Sequence, residues 1–414
     1  MRKILILTLC AIIALTITPL PAIADGGEYT PAMAGNDPET DDVFGEEPWV
    51  DVMADAADAI VASKSLLVME KITGTVVSAH NEHERLAPAS VTKVMTMLLI
   101  AEAIDGGNLN PDDVVTASAN ASGMGGSQIY LKENERMTVR DLLKSVAVSS
   151  ANDASVALAE YLSGTEQAFV AKMNARAKEL GMNDTVFANS TGLPTAAEHL
   201  TSAYDIAVMS RELIRHEFIR EFTTIWTDTV RGGEFGLSNT NKLIRFYPGA
   251  TGLKTGFTSE AMYCLSATAE RGGVEFIAVI MGAPTSDQRF DAAKALLNSA
   301  FADYTLVDTA PSEPIAPALV PLGKVSTVQP VLPSGSEKLL ITKDQAANLS
   351  RVIELYDDRA APIEKGQEIG RLKVLDPTGR ILADVPLAAG DSVGKLSWTD
   401  MLLKYLYVMF TGNV

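Results

Sequence analysis

Residues 87–106 read APASVTKVMTMLLIAEAIDG, so a hydroxyl and an amine stand three positions apart ahead of an apolar run. The run ends near Asp105 and predicts a helix of about fifteen residues preceded by Ser90. Positions three apart share one face of a helix, so the side chains of Ser90 and Lys93 are expected to meet. Ser90 would also lie near the positive end of the helix dipole and its free backbone N–H groups.

Lys93 can act as a base toward Ser90 only if its amine is uncharged near neutral pH. Burial and a neighbouring cation both lower the pKa of a lysine, so such a site would be dry and hold a second positive charge. Lys254, in GATGLKTGFTSEAMYC, is a candidate for that charge on a predicted strand. Taken alone, Ser90 and Lys93 also fit a capped helix with an exposed lysine.

Two further motifs accompany this pair. Ser150-Ala151-Asn152 lies between two predicted helices, where a hydroxyl and an amide would be exposed together, although such residues also cap helix ends. Gly256, two residues after Lys254, would allow a ligand to approach the strand closely. The order SxxK, SxN, KTG is a joint signature of serine β-lactamases and penicillin-binding proteins, and it is far more specific than any of its parts.

Composition narrows the class of protein. The chain has 414 residues, 47% hydrophobic and 21% charged, which suits a globular protein of more than one domain. A formal net charge of -18 argues against nucleic acid as a partner. The four histidines and two cysteines lack the spacing of a zinc or iron site, so we expect no metal and no cofactor.

The pattern along the chain predicts five segments. Residues 1–24 have a basic start, an apolar stretch and a small-x-small cleavage site, which predict a signal peptide and export. Residues 25–49 are acidic without bases and predict a disordered leader. Residues 50–305 are expected to form the catalytic domain and residues 306–394 a small β-sandwich-like domain after a proline-rich stretch. Residues 395–414 predict an amphipathic helix.

The catalytic segment has helical periodicity over residues 90–220, enclosed between early and late strands. The early strands are predicted in SLLVME and TVVSA, after a helix in DVMADAADAIVA. The late strands are predicted in TTIWTDTV, KLIRFYP, MYCLSATAE and VEFIAVIMGA, followed by a helix in RFDAAKALLNSAFADY. Without βαβ alternation, this pattern predicts a mixed α/β fold with an antiparallel sheet, flanking helices and a helical subdomain.

The last apolar segment, LSWTDMLLKYLYVMF, is too short to span a bilayer. Its aromatic and aliphatic side chains predict a helix that lies in the membrane interface. The alternative is a helix docked on the β-domain.

The chain resembles the D-alanyl-D-alanine carboxypeptidases, the low-molecular-mass penicillin-binding proteins of peptidoglycan processing. The resemblance rests on PASVTKVMT, ASGMGGSQIYL, SSANDAS, LGMNDTVFANSTGL and TNKLIRFYPGATGLKTG, and extends from about residue 48 to the final helix. It implies a serine peptidase that removes the terminal D-alanine from stem pentapeptides and binds β-lactam antibiotics covalently. Its place would be the outer face of the cytoplasmic membrane.

The resemblance also implies the reacting groups. Ser90 would be acylated by the penultimate D-alanine carbonyl, with Lys93 as the base. Ser150 would relay a proton to the leaving nitrogen. Backbone N–H groups of Ser90 and Phe257 would form the oxyanion hole.

The implied substrate-binding residues come from the same three motifs and one later helix. Asn152 would hold the substrate amide, and Lys254 would tune the electrostatics of the site. Thr255 would bind the terminal carboxylate beside Gly256. Arg289, in GAPTSDQRFDAA, would bind that carboxylate too, because a planar guanidinium matches its two oxygens.

Two departures and three alternatives accompany this hypothesis. Phe257 stands where some relatives carry a polar residue, but only its backbone N–H is expected to take part. The family commonly has glycine where this chain has Met262, which affects the expected substrate selectivity. A β-lactamase of the same fold would need a carboxylate aimed at the deacylating water, for which Glu198 is the candidate. An endopeptidase that cuts D-alanine crosslinks and a non-catalytic penicillin-sensing or peptidoglycan-binding module are the other two.

Overall fold

The computed structural model describes residues 58–357 and 359–411. The predicted signal peptide, the acidic leader and most of the first predicted helix lie outside the described residues. The end of that helix is present, because residues 58–62 are helical.

The elements that follow are numbered in chain order. The strands are β1 (Ser65–Glu70), β2 (Val76–His80), β3 (Val114–Thr116), β4 (Arg136–Thr138), β5 (Thr227–Val230), β6 (Phe235–Ser238), β7 (Ala250–Thr258), β8 (Met262–Arg271), β9 (Val274–Ala283), β10 (Tyr304–Asp308), β11 (Ala318–Leu319), β12 (Thr327–Val328), β13 (Pro330–Val331), β14 (Lys338–Thr342), β15 (Ser350–Leu355), β16 (Glu368–Leu375) and β17 (Ile381–Ala389). The α-helices are α1 (Lys93–Asp105), α2 (Ala119–Ser122), α3 (Val139–Ser149), α4 (Asn152–Ser163), α5 (Glu166–Glu179), α6 (Ala203–Leu213), α7 (Arg220–Thr223), α8 (Leu243–Phe246), α9 (Ser286–Asp303), α10 (Lys343–Ala346) and α11 (Trp398–Thr411).

A five-stranded antiparallel sheet in the order β2-β1-β9-β8-β7 organises the first part of the chain. Side chains alternate between the two faces of a strand, so one strand serves two cores. Leu67 and Met69 of β1 join the buried cluster built by α1 and α3 to α6. Leu66 and Val68 join the cluster that includes Phe290 of α9. The predicted mixed α/β fold with an antiparallel sheet and a helical subdomain is confirmed.

Three details differ from the sequence prediction. The segment KLIRFYP, predicted as a strand, forms helix α8. The side chain of Asn241 forms an Asx turn just before this helix, because its Oδ1 accepts a hydrogen bond from the backbone N–H of Leu243 at 3.2 Å. In TTIWTDTV only the second half is a strand, β5. Within the predicted helical region, β3 and β4 form an antiparallel pair, although helix α2 lies between them in the chain.

Met262, the departure from the family's glycine, begins β8 with φ +58°. This left-handed conformation is the one that glycine adopts without steric cost, which explains why glycine suits the position. The side chain of Met262 is half-buried, so it neither fills the core nor stands free.

The C-terminal part of the chain is a β domain, as predicted. β10 follows α9 directly and pairs with β14, while β13, β17, β16 and β15 form a four-stranded antiparallel sheet. Val328, Ile363, Ile369, Ala389 and Val393 are among the residues of its small core. Among the described residues, no helix combines the length and the apolar content required to cross a bilayer.

Candidate active site

The predicted nucleophile, Ser90, stands in a 3-10 turn that leads into α1. The preceding residue, Ala89, has φ +47°, a conformation that costs a non-glycine residue about 1–2 kcal/mol. Two glycines hold this turn by close backbone contact. A Cβ on Gly192 would lie 1.8 Å from the carbonyl oxygen of Ala89, and one on Gly256 would lie 2.7 Å from that of Pro88 and 3.1 Å from the Ser90 nitrogen. Neither position can carry a side chain.

Lys93 meets Ser90 as its spacing predicts. Its side chain is 0% exposed, and its Nζ donates hydrogen bonds to Ser90 Oγ at 3.0 Å and to the Thr191 carbonyl at 2.8 Å. Burial, then the charge of Lys254, lowers the pKa of Lys93 well below its usual value, against the opposing effect of Asp153. An amine in this position loses its proton at a lower pH than an exposed lysine does.

Lys254 supplies the second buried amine. It is 1% exposed and donates from Nζ to the carbonyl of Thr255 at 2.9 Å. Burial, followed by the charge of Arg289, lowers the pKa of Lys254 to about 7. The structure therefore buries both amines that the sequence analysis singled out.

The SxN motif lies where α3 ends and α4 begins. Ser150 is buried and has φ +61°, which turns the chain between the two helices. Asn152 donates from Nδ2 to the Gly125 carbonyl at 2.7 Å. Its Oδ1 is buried and accepts no hydrogen bond from any described residue. A buried acceptor without a partner costs stability, and it is ready to receive an N–H group from a ligand.

A single carbonyl connects the helices that carry the first two motifs. Thr96 of α1 and Ser155 of α4 both donate to the Ser190 carbonyl, at 2.7 and 3.1 Å. The carboxylate of Glu166 accepts hydrogen bonds from the backbone N–H and hydroxyl of Ser190. The next carbonyl along the chain is the one that Lys93 contacts. These polar residues fix the amine relative to both helices, and the sequence motifs gave no indication of them.

The KTG segment lies on β7, the outer strand of the described sheet. Thr255 donates from Oγ1 to the hydroxyl of Thr240 at 2.7 Å, and the Thr240 N–H donates to the Val148 carbonyl in α3. Phe257 is exposed, and its ring lies 4.4 Å from that of Tyr263, centroid to centroid. Thr240 therefore joins the KTG strand to the helical region, a contact that the sequence analysis missed.

Arg289 reaches the KTG strand from α9. Its Nη1 donates to the carbonyls of Gly256 and Cys264 at 3.1 and 3.3 Å, and its Nε is buried without a partner among the described residues. Burial lowers the pKa of Arg289 to about 10. The structure thus brings the guanidinium to the predicted strand, where its Nη1 donors are already bound to backbone carbonyls.

His199 is a further residue near the nucleophile that the sequence analysis missed. Its Nδ1 accepts a hydrogen bond from the Ala188 N–H at 3.1 Å, so Nε2 carries the proton and donates it to Thr92 Oγ1 at 2.8 Å. Burial lowers the pKa of His199 to about 4, which keeps the ring neutral at pH 7. Thr92 lies between Ser90 and Lys93 in the chain, so this hydrogen bond from the imidazole helps to hold the catalytic turn in place.

Glu198, the carboxylate on which a β-lactamase would depend, forms an ion pair with a surface arginine instead of contacting the nucleophile. Its Oε1 pairs with Arg85 Nη2 at 3.0 Å, and both side chains are largely exposed. It makes no hydrogen bond to Ser90 or Lys93.

These contacts define a class of protein. The serine hydroxyl contacts a buried amine whose pKa is lowered, a second amine lies on strand β7, and an amide oxygen is left unpaired. This arrangement is typical of an acyl-transferring serine hydrolase of the SxxK type.

Comparison with known proteins identifies the family. Residues 51–285 match the D-alanyl-D-alanine carboxypeptidase family, and residues 312–395 match the penicillin-binding protein 5 C-terminal domain. The chain is 44% identical over 348 residues to the D-alanyl-D-alanine carboxypeptidase DacF of Bacillus subtilis, covering 82% of this chain and 88% of the relative. It is 32% identical to DacD of Escherichia coli, with 83% and 90% of the two chains covered.

Solved structures agree with this result. Penicillin-binding protein 5 from Haemophilus influenzae superimposes with a TM-score of 0.73 at 29% identity, over 81% of this chain and 98% of that one. The chain belongs to the D-alanyl-D-alanine carboxypeptidase family.

We expect His199→Ala to slow acylation by labelled penicillin about tenfold, because it leaves Thr92 Oγ1 and the Ala188 N–H buried without partners, a loss of about 1–3 kcal/mol. His199→Gln should restore part of the rate, since a glutamine amide can both donate and accept. The measurement is the second-order labelling rate of the purified protein at pH 7.

His83→Ala is the matched control, because His83 is an exposed histidine paired with Asp184. It should acylate at the parent rate. A parent rate in His199→Ala would show that the imidazole does not support the catalytic turn.

Proposed function

We propose that this enzyme removes the terminal D-alanine from peptidoglycan stem pentapeptides through an acyl-enzyme on Ser90. The observation that carries the proposal is the 3.0 Å contact between the buried Lys93 Nζ and Ser90 Oγ. In this setting an uncharged amine is the general base that a serine nucleophile requires.

Acylation would begin when the hydroxyl of Ser90 gives its proton to Lys93 and attacks the carbonyl of the penultimate D-alanine. The developing oxyanion would be bound by the backbone N–H groups of Ser90 and Phe257. The close approach of Gly256 to the Ser90 nitrogen supports this, because it brings the two main-chain segments together. Ser150 would pass the proton to the leaving nitrogen, and D-alanine would depart.

Substrate binding would use the remaining motif residues. The unpaired Oδ1 of Asn152 suits a substrate amide N–H, which would remove the cost of leaving that oxygen alone. Thr255 and Arg289 would bind the terminal carboxylate, and Lys254 would keep the pKa of Lys93 low. Water would then hydrolyse the acyl-enzyme.

A β-lactam would acylate the same serine, which makes this class of antibiotic a covalent inhibitor. The opened ring remains tethered to the acyl group, so no leaving group departs to make room for water. Glu198 is paired with Arg85, which disfavours it as an activator of that water and so argues for slow release.

We also propose export through the signal peptide at residues 1–24 and action at the outer face of the cytoplasmic membrane. The limits proposed for the catalytic and β-domains, 50–305 and 306–394, divide the chain within β10. Helix α11 would lie in the membrane interface. Its exposed Trp398, Tyr405 and Phe410 support this, since aromatic side chains favour the boundary between water and lipid.

The experiment that tests the activity is incubation of the mature protein with a stem pentapeptide ending in D-Ala-D-Ala. We expect a product lighter by one alanine residue, together with free D-alanine, as measured by mass spectrometry. Ser90→Ala and Lys93→Met should each reduce release by at least about a thousandfold, because the hydroxyl and amine act as a unit.

Both variants should keep the parent unfolding temperature within a few degrees, so that lost activity is not lost folding. Cleavage confined to crosslinked muropeptides would indicate an endopeptidase instead. Penicillin labelling without D-alanine release would favour a sensing module, and normal acylation of Lys93→Met would contradict the proposed base.

Truncation after residue 395 should leave a soluble enzyme with the parent rate of D-alanine release. The helix contributes no residue to the site, and its removal takes away the exposed aromatic face. Flotation with phosphatidylglycerol and phosphatidylethanolamine vesicles should recover the longer chain and not the truncated one. Equal flotation of both would refute the anchor.

A further inference from the structure

Residues 125–131, here called the flanking loop, lie against the SxN motif and take no part in the mechanism above. The backbone N–H of Asn152 donates to the Ser127 carbonyl at 2.7 Å, and its side-chain Nδ2 donates to the Gly125 carbonyl at 2.7 Å. A carbonyl can only accept, so this contact turns Nδ2 toward the loop and leaves Oδ1 for a ligand. A Cβ on Gly126 would lie 2.7 Å from Nδ2, so the loop packs closely on the amide.

The carboxylate of Asp153 fastens this loop to helix α4. It is 0% exposed, and its oxygens accept hydrogen bonds from the backbone N–H groups of Ile129 at 3.2 Å and of Leu131 at 2.9 Å. Its own helix supplies one more donor, the N–H of Ala154 at 2.9 Å. All of these donors belong to the main chain, so the buried charge is satisfied only while the loop stays in place.

The flanking loop has few other contacts that fix its shape. It contains no helix or strand, and Tyr130 within it has φ +57°. On its other side, the guanidinium of Arg231 donates to the Ile129 carbonyl at 2.8 Å. A loop without a backbone ladder of its own takes its position from the side chains that bind it. The first two residues of α4, Asn152 and Asp153, are therefore the means by which that helix holds the loop.

We propose that Asp153 is a positioning residue for the SxN motif: its carboxylate holds the flanking loop so that the Gly125 carbonyl keeps the Asn152 amide in one orientation toward the substrate. Without the carboxylate, the loop would move away and the amide would be free to rotate. Asp153 would act through Asn152 and not on the reacting atoms. The inference rests on the proposed function, in which Asn152 binds the substrate amide, and adds the residue on which that binding depends.

The test compares acylation by benzylpenicillin, which carries a side-chain amide, with acylation by penicillanic acid, which has none. Second-order rate constants come from labelling time courses, with competition against labelled penicillin for penicillanic acid, so a fraction of unfolded protein does not alter them. Asp153→Asn should lower the ratio of the two constants about tenfold, the size of one lost hydrogen bond to the amide. The charge of Asp153 also raises the pKa of Lys93, but this effect applies to both compounds and cancels in the ratio.

A double-mutant cycle separates positioning from general damage to the fold. Asn152→Ala should lower the same ratio, and adding Asp153→Asn to it should change the ratio no further, because the amide that Asp153 positions is already absent. A parent ratio in Asp153→Asn, or a further fall in the double variant, would overturn the proposal.

Glu70→Gln is the matched control, because Glu70 is also 0% exposed and accepts from two backbone N–H groups, those of Ile72 and Thr73 at the β1–β2 turn. It should keep the parent ratio even if its unfolding temperature falls as far as that of Asp153→Asn. A lowered ratio in Glu70→Gln would show that the ratio follows stability, which would overturn the proposal.

Gly126→Ala is a second variant that crowds Asn152 Nδ2 and leaves Asp153 intact, so it should lower the ratio in the same way. If Asp153→Asn yields no folded protein, Gly126→Ala decides, and a parent ratio there would overturn the proposal. A parent ratio in Asn152→Ala would overturn the role of Asn152 and this inference with it. Failure of the carboxypeptidase function is seen separately, as absence of D-alanine release from the pentapeptide by the parent enzyme.

Discussion

The burial of the Lys93 amine against the Ser90 hydroxyl is the constraint on which the remaining structure depends. An ammonium group removed from water without a counter-ion is costly, and proteins relieve that cost by releasing the proton. Here Lys254 stands nearby as a second buried amine, so the pair cannot both carry charge cheaply. The desolvation that costs folding free energy therefore also lowers the pKa of Lys93, which allows the amine to act as a base.

Holding such a pair requires a rigid frame, and the frame is made largely of backbone contacts. Gly192 and Gly256 press against the turn that carries Ser90, whose neighbour Ala89 is held in a left-handed conformation. The Ser190 carbonyl joins α1 to α4, and the following carbonyl holds the amine. Strained or close-packed positions of this kind gather at functional sites, where the surrounding fold maintains them.

The sequence predicted the fold class and the main motifs because both are local signals. Hydrophobic periods of two and of about three and a half residues distinguish the strands from the helices, and the motifs fix their own spacing. Helix α8 was missed because it has only four residues, too few for a helical period to show in the sequence. The sequence analysis missed His199, Glu166 and Thr240, because each forms its hydrogen bond with a residue far away in the chain. A single polar residue belongs to no periodic pattern or motif that could indicate such a contact. Their importance exists only once the segments are folded together.

The most direct measurement is the pH dependence of acylation by labelled penicillin in the parent enzyme and in Lys254→Met. The rate should rise as pH increases through the pKa of Lys93, because only the uncharged amine can accept the serine proton. In the parent enzyme that rise should lie well below the pH at which an exposed lysine titrates, in keeping with the lowered pKa of Lys93. Removing the charge of Lys254 takes away repulsion that lowers this pKa, so the rise should move to higher pH. A rise near the ordinary lysine value in the parent enzyme, or an unshifted profile in Lys254→Met, would contradict the buried, uncharged base.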